Sequence, residues 1–295
     1  MYYKKIIVLL VLISPALCAF ESSIPAIGNF ALPPSQQPGL LFGFGQSIID
    51  QHDLVAFDNL AVRKFQKNHL LTNEVGLVYA PTDYCSIQPS IYLPVDHAID
   101  KNKSTSVGDV LIQGEYALIQ KQYKESVTLA TIVAAISLPT GSSRKNPPTG
   151  FGATAYFVGG TLYNVSVDWF LFASVGNFFI TKHNHSKFGD IFYYQGGIGR
   201  NLKHMKDRIL VLFLEFDAYK TNRDIACNKI VPNTGSNTIY LGPTLFYGAP
   251  QWSCGIGMQA PIFEKFCGKQ PKSSWFFGFR FNWLLHHEPG GHVFK

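Results

Sequence analysis

His183, His185 and Ser186 share one short polar stretch and are the chain's nearest approach to a nucleophile beside its base. Hydrolysis would need the serine hydroxyl within hydrogen-bond reach of an imidazole. No G-x-S-x-G elbow accompanies them, and no His–Ser pair falls inside a strand pattern. The stretch reads as a loop and the chain as no enzyme, with an outer-membrane lipid hydrolase kept as the least favoured alternative. His286, His287 and His292 are the nearest thing to a metal set. They lack helical i, i+4 spacing, and Pro289-Gly290-Gly291 separates them, so no metal is expected. Gly196-Gly197-Ile198-Gly199 has the glycines of a phosphate loop, but it lies within a strand pattern and no helix follows it. No cofactor is expected.

A second set of polar residues is more informative: Asp109, Gln113, Glu115, Glu215, Asp217, Arg280 and Asn282. Each sits in a stretch where polar and apolar residues alternate, so each shares a strand face opposite an apolar one. Charges facing lipid would cost about 2–4 kcal/mol near a bilayer centre, so these side chains are expected to face water or one another in a lumen. Two chemistries fit such a ring. One is a polar path for a solute. The other is a set of buried pairs filling a narrow barrel.

The strands that would position them are clearest in residues 106–141. Val110, Ile112, Tyr116 and Leu118 share one face, while Asp109, Gln113 and Glu115 share the other. A short charged turn at 122–125 joins this strand to 126–138, which is rich in β-branched residues and ends at Pro139-Thr140-Gly141. Strands of this length exceed the 9–11 residues that cross a bilayer at a tilt. Twelve such segments are expected, at 39–48, 68–79, 84–93, 108–120, 126–138, 151–162, 167–180, 188–199, 208–219, 237–247, 251–261 and 275–284. Connections after even-numbered segments are mostly short (80–83, 121–125, 163–166 and 248–250), with that after the eighth (200–207) somewhat longer. Those after odd-numbered ones (49–67, 94–107, 139–150, 181–187, 220–236 and 262–274) are mostly long and polar. That parity is the signature of short periplasmic turns and long external loops. In the last segment Trp275, Phe277, Phe279, Phe281 and Trp283 form one face, an aromatic row suited to lipid. The fold class is therefore all-β: a transmembrane antiparallel up-and-down β-barrel of about 12 strands, within a range of 10–14.

Composition agrees. Only 15% of the 295 residues are charged and 14% are aromatic. The net charge of +6 has no one-sided cluster, so no nucleic acid is expected as a partner. Residues 1–18 combine Lys4 and Lys5, an apolar core and a small-residue end, the pattern of a cleaved secretory signal. A lipoprotein with acylated Cys18 is the rival, weakened by Leu17. The proline-bearing stretch 19–38 reads as an extended periplasmic segment, 39–285 as the barrel and 286–295 as a tail. Cys85, Cys227, Cys254 and Cys267 remain after cleavage and allow three pairings. Cys227 and Cys267, in loops expected on the same side, make the expected bridge, and Cys254 reads as a lone buried thiol.

Gly108-Asp109-Val110, Glu115-Tyr116-Ala117-Leu118 and Ile136-Ser137-Leu138-Pro139-Thr140-Gly141 together resemble the outer-membrane β-barrel family of the MetA-pathway of phenol degradation. The resemblance covers nearly the whole exported chain, with Gly108, Asp109, Pro139, Thr140 and Gly141 as its motif residues. It implies a bacterial outer-membrane location and transport of small hydrophobic or aromatic solutes. It also implies outer-membrane lipid and the barrel-assembly machinery as partners. Gly278, Phe281 and Trp283 match the spacing of the signal that machinery reads, but Phe276 stands where a polar residue is usual, and a tail follows. The alternative function is a structural or surface-interaction barrel with a plugged lumen.

Overall fold

The computed structural model describes residues 32–66, 68–99, 102–123, 126–205 and 207–287. Residues 1–18, expected as a signal and containing Cys18, the expected extended segment up to residue 31, and residues 288–295 of the expected tail lie outside these. Twelve long antiparallel strands close into a barrel: β1 (Leu54–Phe65), β2 (Asn68–Thr82), β3 (Cys85–Ile99), β5 (Val110–Gln122), β6 (Ser126–Leu138), β7 (Ala155–Ser166), β8 (Trp169–Ile180), β9 (Ile191–His204), β10 (Ile209–Thr221), β13 (Ser236–Gly248), β14 (Trp252–Phe266) and β15 (Ser273–His286). The first and last strands seal it, from Val55↔Leu284 to Lys64↔Trp275. Closure leaves no open edge, so every barrel strand has a partner on both sides. Three short strands decorate one end. β4 (Asn102–Ser106) pairs with the outer half of β3, and β11 (Ile225–Ala226) with β12 (Lys229–Ile230) forms a small hairpin in a loop.

The strand count matches the expectation, but its first member does not. Residues 39–48, expected as the opening strand, form none. The opening strand is β1, in a stretch expected as an external loop. Alternation failed to reveal it because Asp58, bonded to Asn73, and Lys64 face outward beside Val75, Phe281 and Trp275, while Val55 and Phe57 on the inner face are apolar. Within 94–107, also expected as a loop, residues 95–99 at the end of β3 instead pair with β4 at 102–106. β1 thus ends at Phe65 and β2 begins at Asn68, with no long loop between them. The remaining parity holds: segments 139–154, 181–190, 222–235 and 267–272 gather at one end, and short turns at the other.

The outer wall is a band of side chains that water would not tolerate. Leu118 is 63% exposed and Met258 52%, with Leu162, Val175 and Leu214 bare beside them. Aromatic residues flank the band. At the short-turn end Tyr247, Trp252, Phe281 and Trp283 follow one another at centroid spacings of 5.1, 6.1 and 6.0 Å. Arg200 lies 5.4 Å over the Trp169 ring at the same end. At the loop end Phe192 and Tyr194 face outward on β9, 6.0 Å apart. Apolar band and aromatic girdles are the features by which a barrel meets a bilayer.

Candidate functional site

The lumen is not empty space. Residues 32–53 enter it from the short-turn end, climb to mid-height at Leu41–Gly45 and return to begin β1. Apolar contacts anchor both limbs. Leu32 and Leu40 pack among Phe170, Phe172, Phe213 and Phe246, and Ile48 among Ala117, Val127 and Leu129. Ile49 packs against Val55, Phe57 and Val78. The crest needs glycine: Gly45 has φ +72°, and a Cβ there would stand 2.5 Å from the Thr161 methyl.

A segment without a strand partner must satisfy its backbone otherwise. The barrel wall supplies the partners. Glu115 accepts from the backbone N–H of Gln46 at 3.0 Å and of Ser47 at 2.7 Å, and from the hydroxyls of Ser47 and Thr131 at 2.6 Å. Glu215 accepts from the Leu41 N–H at 3.2 and 3.1 Å. Arg280 donates through Nη1 to the Leu40 carbonyl at 3.0 Å, through Nη2 to that of Leu41 at 3.1 Å, and through Nε to Asn59 at 2.9 Å. Gln195 donates to the Phe42 carbonyl at 2.8 Å and to Asp217. Two carboxylates take the amides and a guanidinium takes the carbonyls, so wall charges stand where a strand neighbour would have stood.

The seven polar residues singled out from sequence divide accordingly. Glu115, Glu215 and Arg280 grip the inserted segment directly. Asp217 acts through Gln195. Gln113 and Asn282 line the remaining cavity, and Asn282 donates to Ser253 at 3.0 Å. Asp109 is elsewhere. It lies at the loop end, just before β5, and accepts from the backbone N–H of Gly141 and of Phe151, each at 2.8 Å. Burial pushes its carboxyl above the ordinary range, and the two N–H donors oppose that rise. Thr140 completes the latch: its hydroxyl donates to the Gly108 carbonyl and accepts from Val110 N–H, both at 2.9 Å. Gly108, Asp109, Thr140 and Gly141 therefore pin the root of the 139–154 loop, with Pro139 exposed at its start.

Beside the inserted segment runs a cavity of about 870 Å³, bounded by Phe42, Phe44, Phe157, Phe178, Tyr193 and Phe276 with polar groups between. Phe42 meets Phe276 at 4.4 Å and Phe44 meets Phe157 at 4.6 Å. Above them Arg63 reaches from β1 over the rings of Tyr219 and Phe276, 4.6 Å from each centroid. Sequence reasoning missed these aromatics for a definite reason. In β7 to β9 the inner face is as aromatic as the outer, with Phe157 inside next to Tyr156 outside and Phe178 inside next to Phe179 outside, so no alternation marks the phase.

The other chemical candidates are placed as follows. The His183 ring is bonded to Asn184 at 2.9 Å and the His185 ring to Asn228 at 3.3 Å, in an exposed loop. The four described cysteines are free thiols, so the Cys227–Cys267 bridge does not form; Cys227 is exposed at the tip of the β11–β12 hairpin. Cys254 is half-buried and faces outward beside Phe281 rather than lying in a core. Among the described residues Asp50, Asp53 and His287 bring ligand-type atoms within 4.8 Å of one another. The contact realised there is an ion pair, His287 Nδ1 to Asp53 Oδ1 at 2.7 Å, and we assign it no metal. His286 is exposed at the end of β15, and His292 lies outside the described residues.

No family model matches the chain, and no curated protein sequence matches it. Among solved structures it is similar to the COG4313 outer membrane channel from Pseudomonas putida F1, with a TM-score of 0.65 at 10% identity over 84% of this chain and 99% of that one. LpxR from Salmonella typhimurium aligns at a TM-score of 0.40 and 8% identity, over 79% of this chain and all of that one. A structure described as the CymD monoaromatic hydrocarbon channel aligns at 0.35 and 9%, over 80% and 90%. The first of these supports the barrel fold.

Proposed function

We propose that the protein is a bacterial outer-membrane channel for small hydrophobic or aromatic solutes, related to the phenol-degradation MetA-pathway family that its motifs resemble. In this reading it is exported by a cleaved signal and catalyses no reaction. The observation that carries the reading is the aromatic-walled cavity of about 870 Å³ inside a closed barrel with an apolar outer band. Pockets of this size, mostly apolar with a few convergent polar groups, suit small organic ligands. The inserted segment narrows the lumen beside that cavity, so the channel admits solutes past a restriction instead of through a wide aqueous bore.

Planar-bilayer recording of the refolded protein tests this. The wild type should give small discrete current steps, and a chain lacking residues 32–50 should give steps several-fold larger. Removing those residues leaves all β1–β15 and β1–β2 pairs in place, so the barrel should still close. Silence from both chains would overturn the channel reading and favour a purely structural barrel.

A further inference from the structure

The loop end of the lumen holds a second cavity of about 260 Å³, between the tops of β8, β9, β10 and β13. Phe151 and Phe188 form its aromatic side, and Thr221, Asp224, Thr234 and Gln270 its polar side. Phe157 and Phe178 line the central cavity instead. The rings are continuous from one cavity to the other. Phe188 meets Phe151 at 6.0 Å, Phe151 meets Phe178 at 5.7 Å, Phe178 meets Phe157 at 6.0 Å, and Phe157 meets Phe44 of the inserted segment at 4.6 Å.

We propose that the outer cavity is a vestibule for single-ring aromatic solutes, and that the Phe151–Phe178 contact is the partition such a solute crosses to reach the central cavity. The proposal rests on the channel reading above and names its route and its gatepost. Three observations carry it. The vestibule is large enough, since a cavity of about 150 Å³ holds benzene. It is also built in advance: Asp224 accepts from Gly189 N–H at 2.7 Å, Asp190 accepts from Ile180 N–H at 2.9 Å, and Lys187 pairs with Asp190 at 2.8 Å. The ring spacings, finally, lie in the range of favourable edge or offset contacts, so a flat solute can exchange one ring contact for the next. Asp109 holds the Phe151 backbone, which leaves its side chain as the part that moves.

Single-channel recording of the full refolded chain tests the route, with phenol as probe and cyclohexanol as its ring-saturated control. Phenol added on the loop side should interrupt the wild-type current, and cyclohexanol should do so far less. Phe178→Ala should shorten the phenol blockades roughly threefold, the order a lost ring contact is worth in a rate. Thr221→Trp, which fills the vestibule, should abolish them. Phe151→Leu serves as the milder partition variant should Phe178→Ala fail to fold, with heat-modifiable gel migration as the folding check. Phenol blockades unchanged in every variant of a conducting channel would overturn the route while leaving the channel reading intact. Equal blockade by cyclohexanol would overturn the aromatic class. A wild type without current steps would remove the channel reading itself, and this proposal with it.

Discussion

Glu215 and Asp217 are 1% and 4% exposed, and both are turned to the inserted segment, Glu215 directly and Asp217 through Gln195. A hydrogen bond to a charged group contributes roughly 1.5–3 kcal/mol, and a buried charged group whose partner is lost costs more than the bond was worth. Replacing the two by Gln and Asn together should therefore lower the thermal midpoint, because the Leu41 amide and Arg280 lose a charged neighbour. Gel migration after graded heating measures the midpoint, and bilayer recording at asymmetric salt measures selectivity. A selectivity change at constant midpoint would mean that these carboxylates face a permeating ion rather than the segment. On β1, Asp58 and Lys64 face outward while Val55 and Phe57 are buried inside, so the polar and apolar faces that mark a membrane strand are mixed there.

At the scale of elements, the junction between the inserted segment and β1 is closed by the His287–Asp53 pair, just outside the barrel strands. The hydrogen bond to Asp53 is the chief cause that raises the imidazole above its ordinary 6.5, with Asp50 adding in the same direction and burial opposing. A raised folded value means that the protonated ring is the favoured partner. Its contribution is full below the unfolded pKa and is lost as pH rises through the folded one. Amide hydrogen exchange at Leu54 and Val55 should therefore be better protected at pH 6 than at pH 9, after correction for the intrinsic rate. His287→Gln should remove that difference. An undiminished difference in the variant would place the titrating group elsewhere.

In the proposed orientation of the whole molecule, the long loops face outside and the short turns face the periplasm. Tags inserted in 143–146 and 222–228 should be reachable on intact cells, and a tag at Tyr123 should be reachable only after the outer membrane is opened. The same cells should yield a protein whose gel migration shifts on boiling, as a closed barrel's does. Tags reachable in the opposite pattern would invert the proposed orientation.

Much of the barrel was legible without coordinates, because a strand between lipid and lumen must alternate. Where the two sides differ strongly, as in β5, β10, β14 and β15, the faces are readable residue by residue from Val110/Gln113, Leu214/Glu215 or Phe279/Arg280. Where the inner face is aromatic too, as in β7 to β9, periodicity carries no phase. The motif at Gly108-Asp109 and Thr140-Gly141 was visible as a motif, but its hydrogen bonds span about thirty residues and only the fold shows it to be a latch. The largest decision belonged to the tertiary structure alone. Residues 39–48 alternate well enough to pass for a strand, and 54–65 do not. Yet the first binds wall side chains inside the lumen and the second closes the barrel against β15. Local pattern records which residues prefer burial. Whether that burial is against a neighbouring strand or against Glu115, Glu215 and Arg280 depends on partners 68 to 240 positions away, and only ring closure brings them within reach.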